Sequence, residues 1–291
     1  MDNTSGLVFG KEKMAELFNH DSVKVEILPG GAKRQRLIDD TRVSGSECIF
    51  DRLVLDSGTK LEINVSETEI IWAQLLKGSA ALADGKQHSK LDQQHVFFLP
   101  PKFSGTLSTT TGATCIFLKV CNALKFDPDL AATSSNAKLF DLGSEPILES
   151  KHDERTRVYV ATKNLFNTTA LAGELVIFPA GSMSANHHHI GAEHFQFILS
   201  GEGTVFLNET PYPLRSGDLV YKYDGERHYC HNHGDEEFTF VEFFVPGKWE
   251  TIWADPERSC TWSPTGKSLQ GGTASRKITA HTSDGTVYED V

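Results

Sequence analysis

Apolar and polar positions alternate along most of this chain in runs of four to eight residues, broken by Gly, Pro, Asn or Asp about every 8 to 12 residues. Such a period places side chains on two opposite faces, one for a core and one for solvent, and predicts short β-strands. Residues 204–214, TVFLNETPYPL, are representative: a strand, a polar turn at Asn208 and Glu209, and a second strand. Ser216, Gly217 and Asp218 then turn the chain into LVYKY. Helical periodicity is nearly confined to residues 11–19, KEKMAELFN, where Met14, Leu17 and Phe18 share one helical face. The pattern predicts an all-β sandwich or barrel protein with a short N-terminal helix.

The pattern also repeats. Residues 52–58, RLVLDSG, correspond to 175–181, LVIFPAG; 75–82, LLKGSAAL, to 198–205, ILSGEGTV; and 116–122, IFLKVCN, to 239–245, TFVEFFV. Each pair is separated by 123 residues, so two copies of one unit follow one another with no net insertion between these landmarks. The division expected is an N-terminal segment, 1–45; a first barrel, 46–125; a linker with bridging strands, 126–168; a second barrel, 169–246; and a tail, 247–291. Trp249, Trp253 and Trp262 in that tail suit packing on the barrel, with a lid over a pocket as the alternative.

Seven of the 12 histidines lie between positions 187 and 233. In a strand His187 and His189 point the same way and His188 the other, so two imidazoles on one face can share a metal ion. His231 and His233 are expected to point away from that face, and Cys230 and Asn232 toward it. Cys230 then either lines a pocket or is an inert buried thiol. TGKS at 265–268 lacks the glycine that a phosphate loop needs, since that position is Thr261.

The histidine segment resembles the cupin superfamily. Gly181, His187, His189, a position at 193 or 194, and Gly201 are similar to its first motif, G-x5-H-x-H-x(3,4)-E-x6-G. Gly225, His228 and Asn232 resemble its second motif, with Tyr223 where a proline is usual. With the repeat, the resemblance implies a bicupin: two tandem jelly-roll-like barrels in one chain. The acidic ligand departs from the motif, because Glu193 has the permitted spacing from His189 whereas His194 satisfies the spacing to both His189 and Gly201. Register counted from Gly201 favours His187, His189, His194 and His228 as metal ligands, with Glu193 either behind a ligand, where it could orient an imidazole, or on the outer face. Three histidines with Glu193 remain the alternative. The same template on the first copy falls on Asn64, Ser66, Ile71 and Gly105, which implies a metal-free barrel of structural role.

Composition narrows the partners. The 39 acidic against 28 basic residues, a formal charge of −11, exclude a phosphate-backbone binder. No apolar run spans a membrane, and the start MDNTSG lacks signal-peptide character, so a cytoplasmic protein is expected. Five cysteines without a CxxC spacing read as reduced thiols. The implied cofactor is one divalent transition metal, iron first, with Mn, Ni, Cu or Zn open. By resemblance the leading function is a dioxygenase-type oxidoreductase acting on a small oxygen-chelating substrate. A hydrolase or lyase is the alternative, because EHFQFILSGEG resembles the ureidoglycine aminohydrolase bicupins, although His187 and His228 stand where those enzymes have an acid and an amide. A non-catalytic storage or small-molecule-binding bicupin is the third reading. A homodimer or larger homo-oligomer is implied by the same resemblance.

Overall fold

The computed structural model describes residues 15–85, 87–132, 135–282 and 291. Among them the elements are almost all strands, and no helix is long and apolar enough to cross a membrane. All five cysteines are free.

The first copy is built on strands Cys48–Leu55, Ile70–Asp84, His95–Leu99 and Ala113–Val120, hydrogen-bonded in one antiparallel layer. Ile70–Asp84 is long enough to leave this layer at Gly78 and pair with Gln87–Asp92 and Ser104–Ser108 in a second. The bend needs a glycine: φ is +80° at Gly78, and a Cβ there would lie 2.1 Å from the Gly112 carbonyl oxygen. The second copy repeats this device. Gly201, 123 residues on, has φ +76° and would place a Cβ 2.1 Å from the Glu237 carbonyl oxygen. It separates Glu193–Ser200 from Glu202–Leu207.

Two further strand pairs match at the same offset: Lys33–Ile38 with Thr156–Ala161, and His95–Leu99 with Asp218–Lys222. The last strand departs from it. Phe117 pairs with Ala73, while Glu242 pairs with Gln196, which is an offset of 125. The expectation of no net insertion is therefore corrected: two extra residues sit in the loop after His228–His231, where a turn absorbs them without disturbing either sheet.

The N-terminal expectation is also corrected. Glu16–Asn19 is a strand, antiparallel to Asp218–Lys222 of the second copy, with Leu17 opposite Val220. Four residues form too little helix to stand alone, whereas an open sheet edge offers a main-chain partner to each. Met14 and the rest of 11–14 lie outside the described residues. The exchange is reciprocal: Lys138–Asp141, from the chain between the two barrels, pairs with His95–Leu99 of the first copy. Each barrel thus borrows an edge strand from a segment preceding the other, which covers an edge that would otherwise recruit foreign strands.

Between the barrels lies an aromatic core. Phe50 packs on Phe195 and Phe197 at 5.8 and 5.4 Å between centroids, and Trp72 on Phe243 at 4.6 Å. The Trp72 indole donates to the Val160 carbonyl at 2.9 Å. Because Phe195 and Phe197 face this interface, strand alternation turns His194, Gln196 and Ile198 into the second barrel.

Candidate metal centre

Three elements bring four histidines together. His187–Ile190 lies antiparallel to His228–His231, with His187 directly opposite His228. His189 is two residues further along the same face, and His194 enters from Glu193–Ser200. Ring centroids are 4.5 Å apart for His187 and His228, 4.8 Å for His187 and His189, and 4.7 Å for His189 and His194. His228 stands 5.2 Å from His189 and 5.0 Å from His194.

Hydrogen bonds orient the rings. Nδ1 of His187 meets the Ala185 carbonyl at 2.8 Å, Nδ1 of His189 the Thr251 hydroxyl at 3.1 Å, and Nδ1 of His228 the Glu226 carbonyl at 2.8 Å. Each bond leaves the other ring nitrogen, Nε2, for the shared space, and that of His228 is buried without a hydrogen-bond partner. One ring nitrogen from each of these three histidines lies within 4.8 Å of the others. His194 is held differently. Its Nε2 bonds the Glu242 carboxylate at 3.0 Å, its ring stacks on Phe244 at 4.4 Å, and its buried Nδ1 has no hydrogen-bond partner.

Burial keeps these imidazoles neutral. It lowers His187 to about 4 and His194 to about 3, and brings His189 and His228 well below their ordinary value. Burial alone would raise Glu242, but the hydrogen bond from His194, the nearby Lys222 and a hydrogen bond from Gln196 hold it below the usual carboxylate range. Gln196 donates a second hydrogen bond to Glu242 at 2.8 Å. Neutral imidazoles are the form that binds metal.

Glu193 faces the other way. Its carboxylate accepts from Ser46 Oγ at 2.6 Å, the Glu47 amide at 2.7 Å and the Tyr221 hydroxyl at 2.9 Å, tying the second barrel to the first. Of the two placements expected for Glu193, strand alternation gives the outer face, and Glu242 is the carboxylate that orients an imidazole. His231 and His233 lie outside the cluster, 5.4 Å apart. Asn232 donates to the Phe178 and Glu236 carbonyls at 2.8 and 2.7 Å, so it braces a loop.

The cluster opens on a small cavity of about 40 Å³, which Cys230 also lines. Burial pushes the Cys230 thiol up to about 11, so it stays protonated near neutrality. The cavity is also lined by two buried arginines with their own carboxylates: Arg155 with Asp153 at 2.6 Å, and Arg157 with Glu174 at 2.6 Å. Arg157 also lies 3.8 Å over the Trp262 ring. The tail supplies the rest. Glu250–Trp253 pairs with His187–Ile190, setting Thr251 opposite His189 and Trp253 opposite His187, and Trp249 stacks on Phe244 at 3.7 Å. The tail is therefore a wall of the cavity as well as packing.

Register corrects the first-copy template. Ile63, not Asn64, stands opposite Gly105 as His187 stands opposite His228. Ile63 and Val65 are buried in the interior of the first barrel, whereas Asn64 and Ser66 are exposed. Ile71 is buried there too, and Gly105 leaves room for the Phe103 ring. None of these inward side chains offers a donor atom to a cation.

Residues 174–244 match the family described as the Cupin domain. Oxalate decarboxylase OxdC of Bacillus subtilis is 31% identical over 109 residues, 35% of this chain and 27% of that protein. An oxalate-binding protein of Thermotoga maritima is 31% identical over 67 residues, 23% of this chain and 55% of that protein. The matches thus span about a quarter to about half the length of these curated relatives. A solved structure of the Bacillus subtilis decarboxylase at pH 4.6 is similar in fold, with TM-score 0.64, 16% identity, and coverage of 83% of this chain and 78% of that one. Another, described for the Mn(II) centres of that enzyme, has TM-score 0.63 and 17% identity and covers 83% and 79%.

Proposed function

We propose that this chain, whose residues 174–244 match the Cupin domain and whose fold is that of a bicupin, carries in its second barrel, residues 169–246, a metal-dependent active centre for lyase chemistry on a small oxygen-chelating substrate. His187, His189, His194 and His228 are its ligands. The first barrel, residues 46–125, is structural, since its matching positions are hydrocarbon.

The observation that carries the reading is the convergence of four neutral imidazoles. A metal–nitrogen bond of about 2.1 Å sets two imidazole centroids on one ion roughly 4.5 to 5 Å apart. The measured separations run from 4.5 to 5.2 Å. Ring nitrogens of His187, His189 and His228 lie within 4.8 Å of one another, which suits a borderline divalent ion, and we assign the unpartnered Nδ1 of His194 as the fourth donor. A bound metal supplies a Lewis acid that polarises a coordinated substrate oxygen.

The protein's own groups do the rest. Glu242 and Gln196 fix the His194 ring, and Thr251 fixes His189. Trp249 and Trp253 line one side of the cavity and present apolar surface to it. The small volume restricts the ligand to a few heavy atoms.

The relative named for oxalate decarboxylation favours lyase chemistry over the dioxygenase expected from sequence. We rank manganese ahead of iron, with Ni, Cu and Zn behind, a ranking supported by the solved structure described for Mn(II) centres. A non-catalytic binder is the second reading, favoured by the relative named as an oxalate-binding protein. A homodimer or larger assembly is carried with the proposal and is read by light scattering.

The test begins with metal content of protein purified without a tag, by elemental mass spectrometry, followed by carbon dioxide release from oxalate. About one equivalent of metal with release supports the lyase. Metal with oxalate bound but no release supports the binder. No metal under any loading condition overturns both.

A further inference from the structure

His231 and His233 stand outside the metal centre with ring centroids 5.4 Å apart and planes inclined at 69°. A third donor lies beside them. Met183 forms an antiparallel bridge with His231. Hydrogen bonds from the Ser184 amide to the Cys230 carbonyl and from the Asn232 amide to the Ser182 carbonyl, both 2.9 Å, flank that bridge. Met183 and His231 are thus the kind of cross-strand pair that has no bond of its own, in which Cα atoms approach to about 4.5 Å and side chains lie side by side. Alternation puts them on the outer face of the barrel: Ser182, Ser184, Cys230 and Asn232 are buried, whereas Met183 and His233 are exposed and His231 is half-buried.

The loop that carries His233 is fixed from below. Asn232 donates to the Phe178 and Glu236 carbonyls and accepts from the Gly234 amide at 3.0 Å. Asp235, Glu236 and Glu237 follow in the same exposed stretch and bias its field toward cations. The fold itself does not ask for these donors. In the first barrel the same bridge is Lys60 opposite Ser108, next to a matching bond from the Thr109 amide to the Thr59 carbonyl at 3.1 Å, and the residue two beyond Ser108 is Thr110.

A thioether with two imidazoles is a donor set for a soft ion, and Cu(I) takes it at low coordination number. Zn(II) is held instead by thiolate, imidazole and carboxylate. Three ligands about 120° apart around one ion set two imidazole centroids roughly 5.5 Å apart, given metal–nitrogen bonds of about 2.1 Å. The observed 5.4 Å matches. The unbranched methionine chain lets its sulfur adjust to the third position. We propose that Met183, His231 and His233 form a second metal site, on the outer face of the second barrel, that takes one Cu(I) ion. The site is independent of the four inner histidines.

The test removes the inner centre, so that the copper counted belongs to the outer face. The full chain carrying His189→Ala is titrated with Cu(I) in the absence of oxygen against a coloured Cu(I) chelator, alone and with Met183→Leu or His233→Ala added. About one Cu(I) per chain is expected, and each added substitution should weaken it by about tenfold or more. Zn(II) affinity should change by less than about twofold on Met183→Leu. X-ray absorption of the bound copper should show a sulfur neighbour that Met183→Leu removes. No Cu(I) on the His189→Ala chain overturns the proposal. Cu(I) held as tightly after Met183→Leu also overturns it, since copper on a cysteine would survive that change. An equal loss of Zn(II) and Cu(I) on Met183→Leu does so too, because the thioether would then not choose the metal. If His189→Ala does not fold, wild type with its inner centre filled by Mn(II) carries the same outcomes.

Discussion

The two barrels share strand order, a bending glycine and a borrowed edge strand, and they differ in what their strands point inward. Where the first has Ile63, Val65, Ile71 and Gly105, the second has His187, His189, His194 and His228. Ala73 and Phe117 give way to Gln196 and Glu242, and Leu99 to Lys222. One backbone thus accommodates either a hydrocarbon filling or a polar one. The hydrocarbon filling satisfies the folding problem directly, through burial of apolar surface. The polar filling needs a hydrogen-bond network to offset desolvation, and Nδ1 of His194, Nε2 of His228 and Nζ of Lys222 are among the buried atoms it leaves without a hydrogen-bond partner. Unsatisfied polar atoms of this kind distinguish a site from a core.

The largest way to break the comparison is to remove a ligand. His189→Ala should take metal from about one equivalent to none, measured by elemental mass spectrometry, whereas Asn64→Ala in the first copy should leave it unchanged. Equal metal in both would show that the cluster is not the binding centre. Next in size, Lys222→Leu makes the second barrel more like the first. In metal-free protein it should raise stability by about 1–3 kcal/mol at pH 7, because it removes a buried unpaired ammonium. Burial lowers the Lys222 amine from 10.5 to about 8. Between those values the unfolded chain holds a proton that the folded chain has lost, so wild type gains stability as pH rises through this window. The advantage of Lys222→Leu should therefore shrink between pH 8 and 10 in urea melts. An advantage that is constant with pH would mean that the amine is not desolvated.

Much of this contrast is readable in the sequence, because it depends on strand period and a pinned turn. The 123-residue offset marks the repeat, and counting back from Gly201 turns His194 and Glu193 to opposite faces. The parts that are not readable involve partners across strands. Glu242, Lys222 and Thr251 reach the cluster only through the register of three separate strand pairs, and nothing in their local sequence marks them. The slip from Ile63 to Asn64 has the same origin: the histidine strand is offset by 124 residues from its counterpart, and a one-residue error exchanges inside for outside. The segment at 16–19 has apolar residues that suit a helix face, and only the open edge of Asp218–Lys222 selects the strand.

Smaller effects sharpen the comparison at the boundary between the barrels. Glu193→Gln keeps the shape but weakens three hydrogen bonds to Ser46, Glu47 and Tyr221. A loss of about 1–2 kcal/mol in urea melts is expected, with metal content intact. His194→Ala should do the reverse, lowering metal content well beyond its effect on the metal-free fold. If Glu193→Gln releases the metal instead, the outward placement of Glu193 cannot describe the working protein.

The smallest test lies in the first barrel. Ile71 occupies the His194 position, and Ile71→Val removes one methylene from a packed interior. The cost should be about 1 kcal/mol, the transfer of that group plus a partial cavity. Metal content should not move, because the aromatic layer of Phe50, Trp72, Phe195 and Phe243 separates the two interiors. That layer is close-packed on both sides, so a one-methylene void should relax within the first barrel and not across it. A change in metal affinity larger than about twofold on Ile71→Val would show that the hydrocarbon barrel sets the geometry of the polar one.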